Sequence, residues 1–335
     1  MPSVTSNRVG GLRLPDPALD TRVGVGMAAV EDLLVRSVVS EYPFVTSAAR
    51  HLVDAGGKRF RPLLTLLAAQ YGDPGRPEVT AAAVVVELTH LATLYHDDVM
   101  DEARLRRGAA SANARWDNTV AILTGDFLFA KASHLLADLG PEAVRIQART
   151  FERLCTGQIR ETVGPQDGED PIAHHVSVLA DKTGSLIATA GRFGAMMAGA
   201  EPKVERILGA FGERIGVAFQ LADDLVDIGS EHEQSGKTPG TDLREGVATL
   251  AVLMLRESSD PADRRLIELT SGPITDEAEH AEALTLLRSH PAMDRAHDEA
   301  RRWTDEARST LSELPAGPTR EALERLCDYV VDRTG

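Results

Sequence analysis

Residues 87–108 read ELTHLATLYHDDVMDEARLRRG, and the spacing inside this stretch sets the reading of the whole chain. Asp97, Asp98 and Asp101 lie at i, i+1 and i+4. At about 100° per residue, that spacing puts three carboxylates on one flank of a helix. Glu87, His90 and Leu94 fall in the same arc, so a polar stripe runs down a segment otherwise rich in Ala, Val and Leu. A second stretch, VAFQLADDLVDIG at 217–229, repeats the geometry with Asp223, Asp224 and Asp227. Elsewhere apolar positions recur every three to four residues between breaks at 72–77, 140–141, 163–171, 230–240, 272–273 and 315–318. After the last break, Thr319 is the expected N-cap. The run Val84-Val85-Val86 has β propensity but lies within a helical pattern, so the class expected is all-α.

Aspartate is a poor interior helix residue. Like charges ~4 Å apart repel by about 4 kcal/mol at an effective dielectric near 20. Two such triplets on largely apolar helices therefore call for a cation. Oxygen-only ligands favour a hard ion, and Mg²⁺ typically takes one or two carboxylates together with waters and substrate phosphates. The basic motifs agree: Gly56-Gly57-Lys58-Arg59-Phe60-Arg61, then Arg104, Arg106 and Arg107-Gly108, then Lys182-Thr183-Gly184 and Lys237-Thr238-Pro239-Gly240. Glycines beside cations let backbone approach an anion closely. Each motif alone is weak; together with both aspartate triplets they point to a metal–diphosphate site.

Composition narrows the class. The chain has 335 residues and a net charge of −15, so it lacks the basic footprint of a nucleic-acid binder. Residues 231–335 carry 22 acidic and 13 basic side chains, which marks a solvated, helix-rich scaffold. Cys155 and Cys327 are too few for a disulfide framework or a thiolate metal site, which suits a reducing cytoplasm. No apolar h-region opens the chain, and no uninterrupted apolar run reaches the ~18 residues of a membrane span. A cytoplasmic protein without a membrane span is the expectation.

The motifs resemble those of the all-trans polyprenyl diphosphate synthases. The resemblance runs from about residue 45 to 255 and rests on GGKRFRP (56–62), the stretch 87–108, GDFLFAKA (125–132), GQ (157–158), DKTGSL (181–186), FQLADDLVDI (219–228) and GKTPGTDLREG (236–246). It implies a single domain over 1–335, with 256–335 as motif-free C-terminal helices. The fold implied is one all-α bundle around a deep cavity, homodimeric, with the two Asp motifs facing each other across the cavity mouth. On this resemblance Asp97, Asp98, Asp101, Asp223 and Asp227, with Asp224 nearby, would hold Mg²⁺ on the diphosphate of an allylic substrate. Roughly three ions would be present with substrate bound. Arg106, Lys182 and Lys237 would neutralise the same leaving group. Lys58, Arg61, His90 and Arg107 would hold isopentenyl diphosphate, and Thr183 and Gln220 would turn oxygen dipoles toward developing positive charge.

The reaction implied is ionisation of the allylic C–O bond, attack by the isopentenyl double bond, and loss of a proton to the released diphosphate. Small residues, Thr93 and Ala92, stand four and five positions before the first triplet, where, on this resemblance, family members with short products carry aromatics. They favour products of C30 or longer over a geranylgeranyl-type length, although Phe127, Phe129 or Phe151 could form a deeper floor. Val247, Ala251 and His175 stand where family members often carry Lys, Pro and Tyr. A terpene synthase on the same scaffold would not need the set Lys58, Arg61, His90 and Arg107. A non-catalytic partner subunit of a heteromeric synthase could shed its aspartates, and all six are present. A di-iron bundle would need two facing Glu-x-x-His pairs, and only Glu87–His90 lies in an apolar helix; Glu277–His280 does not.

Overall fold

A computed structural model describes residues 14–229 and 239–331. Helix starts are set by a recurring local device. Eight described helices open on a proline: Pro17, Pro43, Pro77, Pro141, Pro171, Pro202, Pro291 and Pro318. The first helical residue has no amide partner to lose, and the fixed φ of proline is already helical. Asp16, Asp117, Asp170 and Asp276 add side-chain caps on the amides that follow them. The last helix begins at Pro318 rather than after Thr319, because proline at the first position outranks a threonine cap one residue later.

The helices in chain order are α1 (Pro17–Ser37), α2 (Pro43–Asp54), α3 (Phe60–Ala68), α4 (Pro77–Met100), α5 (Ala112–Arg115) and α6 (Asn118–Asp138). They continue with α7 (Pro141–Val163), α8 (Pro171–Leu179), α9 (Ser185–Met197), α10 (Pro202–Gly229) and α11 (Thr241–Glu245). The C-terminal set is α12 (Leu250–Arg256), α13 (Arg264–Leu269), α14 (Glu277–Arg288), α15 (Pro291–Thr310) and α16 (Pro318–Val331). Val84, Val85 and Val86 lie inside α4, so helical context overrides their β propensity. Among the described residues the strands are one antiparallel pair, β1 (Leu105–Arg106) and β2 (Ala109–Ala110). The patterning missed this hairpin because two-residue strands carry no periodicity. Its turn residues Arg107 and Gly108 have φ of 54° and 77°, the double positive φ of a type I′ turn.

Contacts group the chain into two compact units, each discontinuous in sequence. The first comprises residues up to Phe151, Leu186–Ala210 and Leu311–Arg325. Its core is built where α4 packs on α1, α3 and α6. Leu63, Leu64, Leu67, Leu88, Leu91 and Tyr95 are fully buried there. The Tyr95 hydroxyl donates to Ala48 O at 2.6 Å and accepts from Leu52 N at 3.2 Å, tying α2 to α4. The second unit comprises Glu152–Ser185, Phe211–Thr310 and the chain from Leu326. Leu179, Val217, Leu221, Leu225, Leu255 and Leu287 are among the residues of its core.

Among the described residues two helices, α4 and α6, are long and apolar enough on average to cross a membrane. Scattered polar side chains break their apolar runs without lowering that average, which is why the run-length reading passed over them. In α4, 67% of the apolar window is buried inside the protein; in α6 the figure is 33%. Ile122 and Leu123 on α6 are exposed, as are Val144 and Phe151 on α7.

Candidate active site

In the first unit, the DDVMD triplet ends α4: Asp97 and Asp98 lie in its last turn and Asp101 is the C-cap. The second triplet, in the second unit, occupies the last two turns of α10. Carboxylates at a helix C-terminus face the negative end of the macrodipole, so both triplets sit where local electrostatics oppose them. Asp98 is fully buried. Its Oδ1 accepts from Arg106 Nε at 2.6 Å, and Oδ2 is buried with no hydrogen-bond partner among the described residues. Burial raises the Asp98 pKa and the Arg106 guanidinium opposes the rise. Arg106 Nη2 also lies 3.9 Å from Asp101 Oδ2.

These features fit a divalent cation. The donors are hard oxygens at an electrostatically disfavoured position, and one buried carboxylate oxygen is left without a donor. Among the described residues, no three His, Cys, Asp or Glu side chains gather closely enough to hold an ion unaided. Such a site must complete its shell with water or substrate oxygens, the usual mode of Mg²⁺.

Of the predicted isopentenyl-diphosphate residues, Arg61, His90 and Arg107 lie near enough for their charges to act on one another. The GGKRFRP loop leads into α3 through Arg59, whose φ of 47° is left-handed. The positive charges of four guanidinium groups, those of Arg61, Arg107, Arg106 and Arg59, act on His90, which lies on α4. Burial first and these cations second hold its imidazole pKa well below the ordinary value, so His90 is neutral. Burial lowers Arg61 to about 10, and its buried Nε has no hydrogen-bond partner among the described residues. The type I′ turn aims Arg107 at the loop: its Nη1 donates to Gly56 O and, at 3.0 Å, to Leu52 O. A Cβ at Gly57 would fall 2.8 Å from the Arg107 guanidinium carbon, so only glycine admits this approach. Lys58 is exposed on the same loop.

In the second unit, Lys182 and Thr183 sit on a π-helical turn, Ala180–Gly184, a device common at functional sites. The GQ motif on α7 accommodates this turn, since a Cβ at Gly157 would meet Lys182 N at 2.9 Å. Lys182 Nζ pairs with Glu161 Oε2 at 2.5 Å. Thr183 Oγ1 donates to Gln220 Oε1 at 3.3 Å, and Gln220 Nε2 donates to Asp224 Oδ1 at 3.2 Å. Burial drives Asp224 well above the ordinary carboxylate range, and neighbouring Asp242, Asp223 and Asp227 push it the same way. His175 Nε2 lies 3.8 Å from Asp224 Oδ2, and burial lowers that imidazole to about 4. Asp227 is anchored by the segment that follows: its carbonyl accepts from Gly240 N at 2.9 Å, and its Oδ2 accepts from Asp242 N at 3.2 Å. Lys237 lies outside the described residues. Val247 is exposed and Ala251 is buried in the core of this unit.

Motif reading assigned no role to three residues. Glu161 pairs with Lys182, Arg59 joins the cationic loop, and Glu87 is its buried carboxylate partner. Arg59 was legible only as one cation of the GGKRFRP stretch and Glu87 only as a member of the polar stripe; nothing local marked Glu161.

The chain matches the family model for polyprenyl synthetase over residues 42–287. It is 52% identical to a nonaprenyl diphosphate synthase of Mycobacterium tuberculosis over 329 residues, 98% of each chain. A geranylgeranyl pyrophosphate synthase from Corynebacterium glutamicum, solved with calcium and isoprenyl diphosphate, superposes with a TM-score of 0.87 at 46% identity, covering 97% of this chain and 100% of that one. A decaprenyl diphosphate synthase from Rhodobacter capsulatus gives 0.87 at 34%, covering 95% and 99%. The chain thus belongs to the polyprenyl synthetase family, as a prenyl-transferring trans-polyprenyl diphosphate synthase of the all-α isoprenoid synthase fold.

Proposed function

We propose that this protein condenses isopentenyl diphosphate with an allylic diphosphate in repeated, Mg²⁺-dependent cycles, releasing products of C30 or longer. The observation that carries this reading is the intact set Lys58, Arg61, His90 and Arg107, gathered in one unit that also carries an acidic triplet. A cyclase needs one diphosphate site; a condensing enzyme needs a second, and three cations with a neutral imidazole beside them suit that second site without metal. Asp97, Asp98 and Asp101 in the first unit, and Asp223 and Asp227 in the second, are the residues that would hold Mg²⁺. Bound there, Mg²⁺ supplies the electrophilic charge that stabilises a departing diphosphate.

The chain's own groups do the rest. Arg106 and Lys182 lend positive charge to the allylic leaving group, and Lys237 is assigned with them. Thr183 commits its only hydroxyl proton to Gln220 Oε1, so its remaining lone pairs are acceptors for developing positive charge. The Gln220 amide is held the right way round by its bond to Asp224. A long product is favoured by the small residues Ala92 and Thr93, and by 52% identity to a nonaprenyl synthase. A second copy of the chain is proposed to cover the exposed apolar residues of α6 and α7, giving a cytoplasmic homodimer.

The test is elongation by the purified protein alone, with Mg²⁺, labelled isopentenyl diphosphate and primers of several lengths, products being resolved by chain length. Ladders ending at C30 or beyond, abolished by a chelator, are expected. Products stopping at C20 would replace the chain-length reading. Cyclic hydrocarbon from one primer, or no turnover without an added partner, would replace the reaction.

A further inference from the structure

Glu87 is 2% exposed on α4, less than one turn before His90. Its Oε1 accepts from Arg59 Nη1 at 3.0 Å. The same guanidinium donates to Val53 O at 3.0 Å and Gly56 O at 3.3 Å, and its outer edge meets Glu31 at 2.5 Å. Gly56 O is also an acceptor of Arg107 Nη1, so two guanidinium groups converge on one carbonyl. Arg61 adds a third cation whose buried Nε has no hydrogen-bond partner among the described residues. Against these cations stand two carboxylates: Glu31, 43% exposed at the outer edge, and Glu87 inside. Burial works against the charges of Arg61 and Arg107, and for both the principal opposing influence is the negative charge of Glu87.

A diphosphate arriving at this pocket meets guanidinium groups already partly neutralised. We propose that Glu87 is the resident counter-anion of the diphosphate pocket: it holds Arg59, balances Arg61 and Arg107 in the empty enzyme, and thereby sets how tightly the pocket binds a diphosphate. This rests on the assignment of Lys58, Arg61, His90 and Arg107 to diphosphate binding. Glu87 needs no contact with substrate, so it is a positioning residue. It competes with the ligand for the same cations, at a distance that depends on its charge rather than its shape.

Inorganic pyrophosphate in a chelator isolates the cation-only pocket from the metal-dependent carboxylates. Calorimetric titration and thermal unfolding with and without pyrophosphate are the measurements, on the wild type, Glu87→Gln and Glu87→Asp. Glu87→Gln keeps an oxygen for Arg59 and removes the charge. It should lower the unfolding temperature of the empty protein, bind pyrophosphate about tenfold more tightly, and gain more from its presence. The KM for isopentenyl diphosphate should fall by a similar factor while the KM for the allylic substrate stays unchanged. Glu87→Asp withdraws the charge by one methylene and should bind two- to threefold more tightly. Unchanged or weaker pyrophosphate binding in Glu87→Gln would overturn the counter-anion role. If that variant does not fold, wild-type affinity in Glu87→Asp would overturn it. A wild type that fails to bind pyrophosphate would instead remove the pocket assignment on which the role rests.

Discussion

Arg106 Nε lies 2.6 Å from Asp98 Oδ1, while Oδ2 of the same buried carboxylate has no hydrogen-bond partner among the described residues. One oxygen is held by the protein and the other is kept for something else. Breaking such a pair from one side leaves a buried charge uncompensated. Arg106→Ala should therefore cost about 2–3 kcal/mol of stability and lower kcat/KM by about a hundredfold or more. Chemical denaturation and steady-state kinetics on one preparation check both. A variant with wild-type stability would mean that Asp98 finds another partner.

Lys182 and Glu161 are each about one third exposed, 31% and 36%. A pair so open to water contributes about 0–1 kcal/mol, so Lys182 can leave Glu161 for a phosphate at little cost. Glu161→Gln should lower the KM for the allylic substrate by at most about fivefold, because it removes the competing carboxylate. Lys182→Met should reduce kcat/KM by about a hundredfold. Varying the allylic primer at saturating isopentenyl diphosphate separates the two. A raised KM in Glu161→Gln would show that the pair positions Lys182 rather than competing for it.

His90 is held neutral by burial and by the positive charge of four guanidinium groups. Its folded pKa lies below the unfolded value of about 6.5. Below that pH the unfolded chain binds a proton that the folded one does not, so stability falls as pH falls. The slope from one such group is at most about 1.4 kcal/mol per pH unit. His175, lowered to about 4, acts with the same sign. His90→Gln should therefore flatten the dependence on pH between 5 and 6.5 without abolishing it, as read from urea midpoints. A variant with the wild-type slope would mean that His90 titrates normally in the folded state.

Chain length should respond differently at the two small positions. Ala92 is fully buried, and its carbonyl lies 3.1 Å from where a Cβ on Gly125 of α6 would stand. Ala92→Phe overpacks that helix contact and should cost about 1–3 kcal/mol. Thr93 is half-buried, lies nearer the aspartate stripe, and bonds His90 O at 2.8 Å. Thr93→Phe should shorten the product with little loss of stability. Wild-type product length from a folded Thr93→Phe enzyme would place the stop elsewhere.

Much of this protein was legible along the chain. Proline and aspartate at helix starts depend only on backbone φ and on amides a few residues away, so helix positions follow from local sequence. The triplets were legible for the same reason: the 3.6-residue period alone puts Asp97, Asp98 and Asp101 on one flank. The resemblance then assigned roles to the motif cations.

What the tertiary structure decided is how those charges are partnered. Arg59 meets Glu87 across 28 residues of sequence, Arg107 meets Gly56 across 51, and Lys182 meets Glu161 across 21. The turn that aims Arg107, with positive φ at two successive residues, is held by a two-residue strand pair too short to leave a pattern. Sequence alone determined which residue types are present and on which face of which helix. Which carboxylate neutralises which cation, and which oxygen is left open, depends on helices packing to within a few ångströms, where desolvation and Coulomb energy outweigh any local preference.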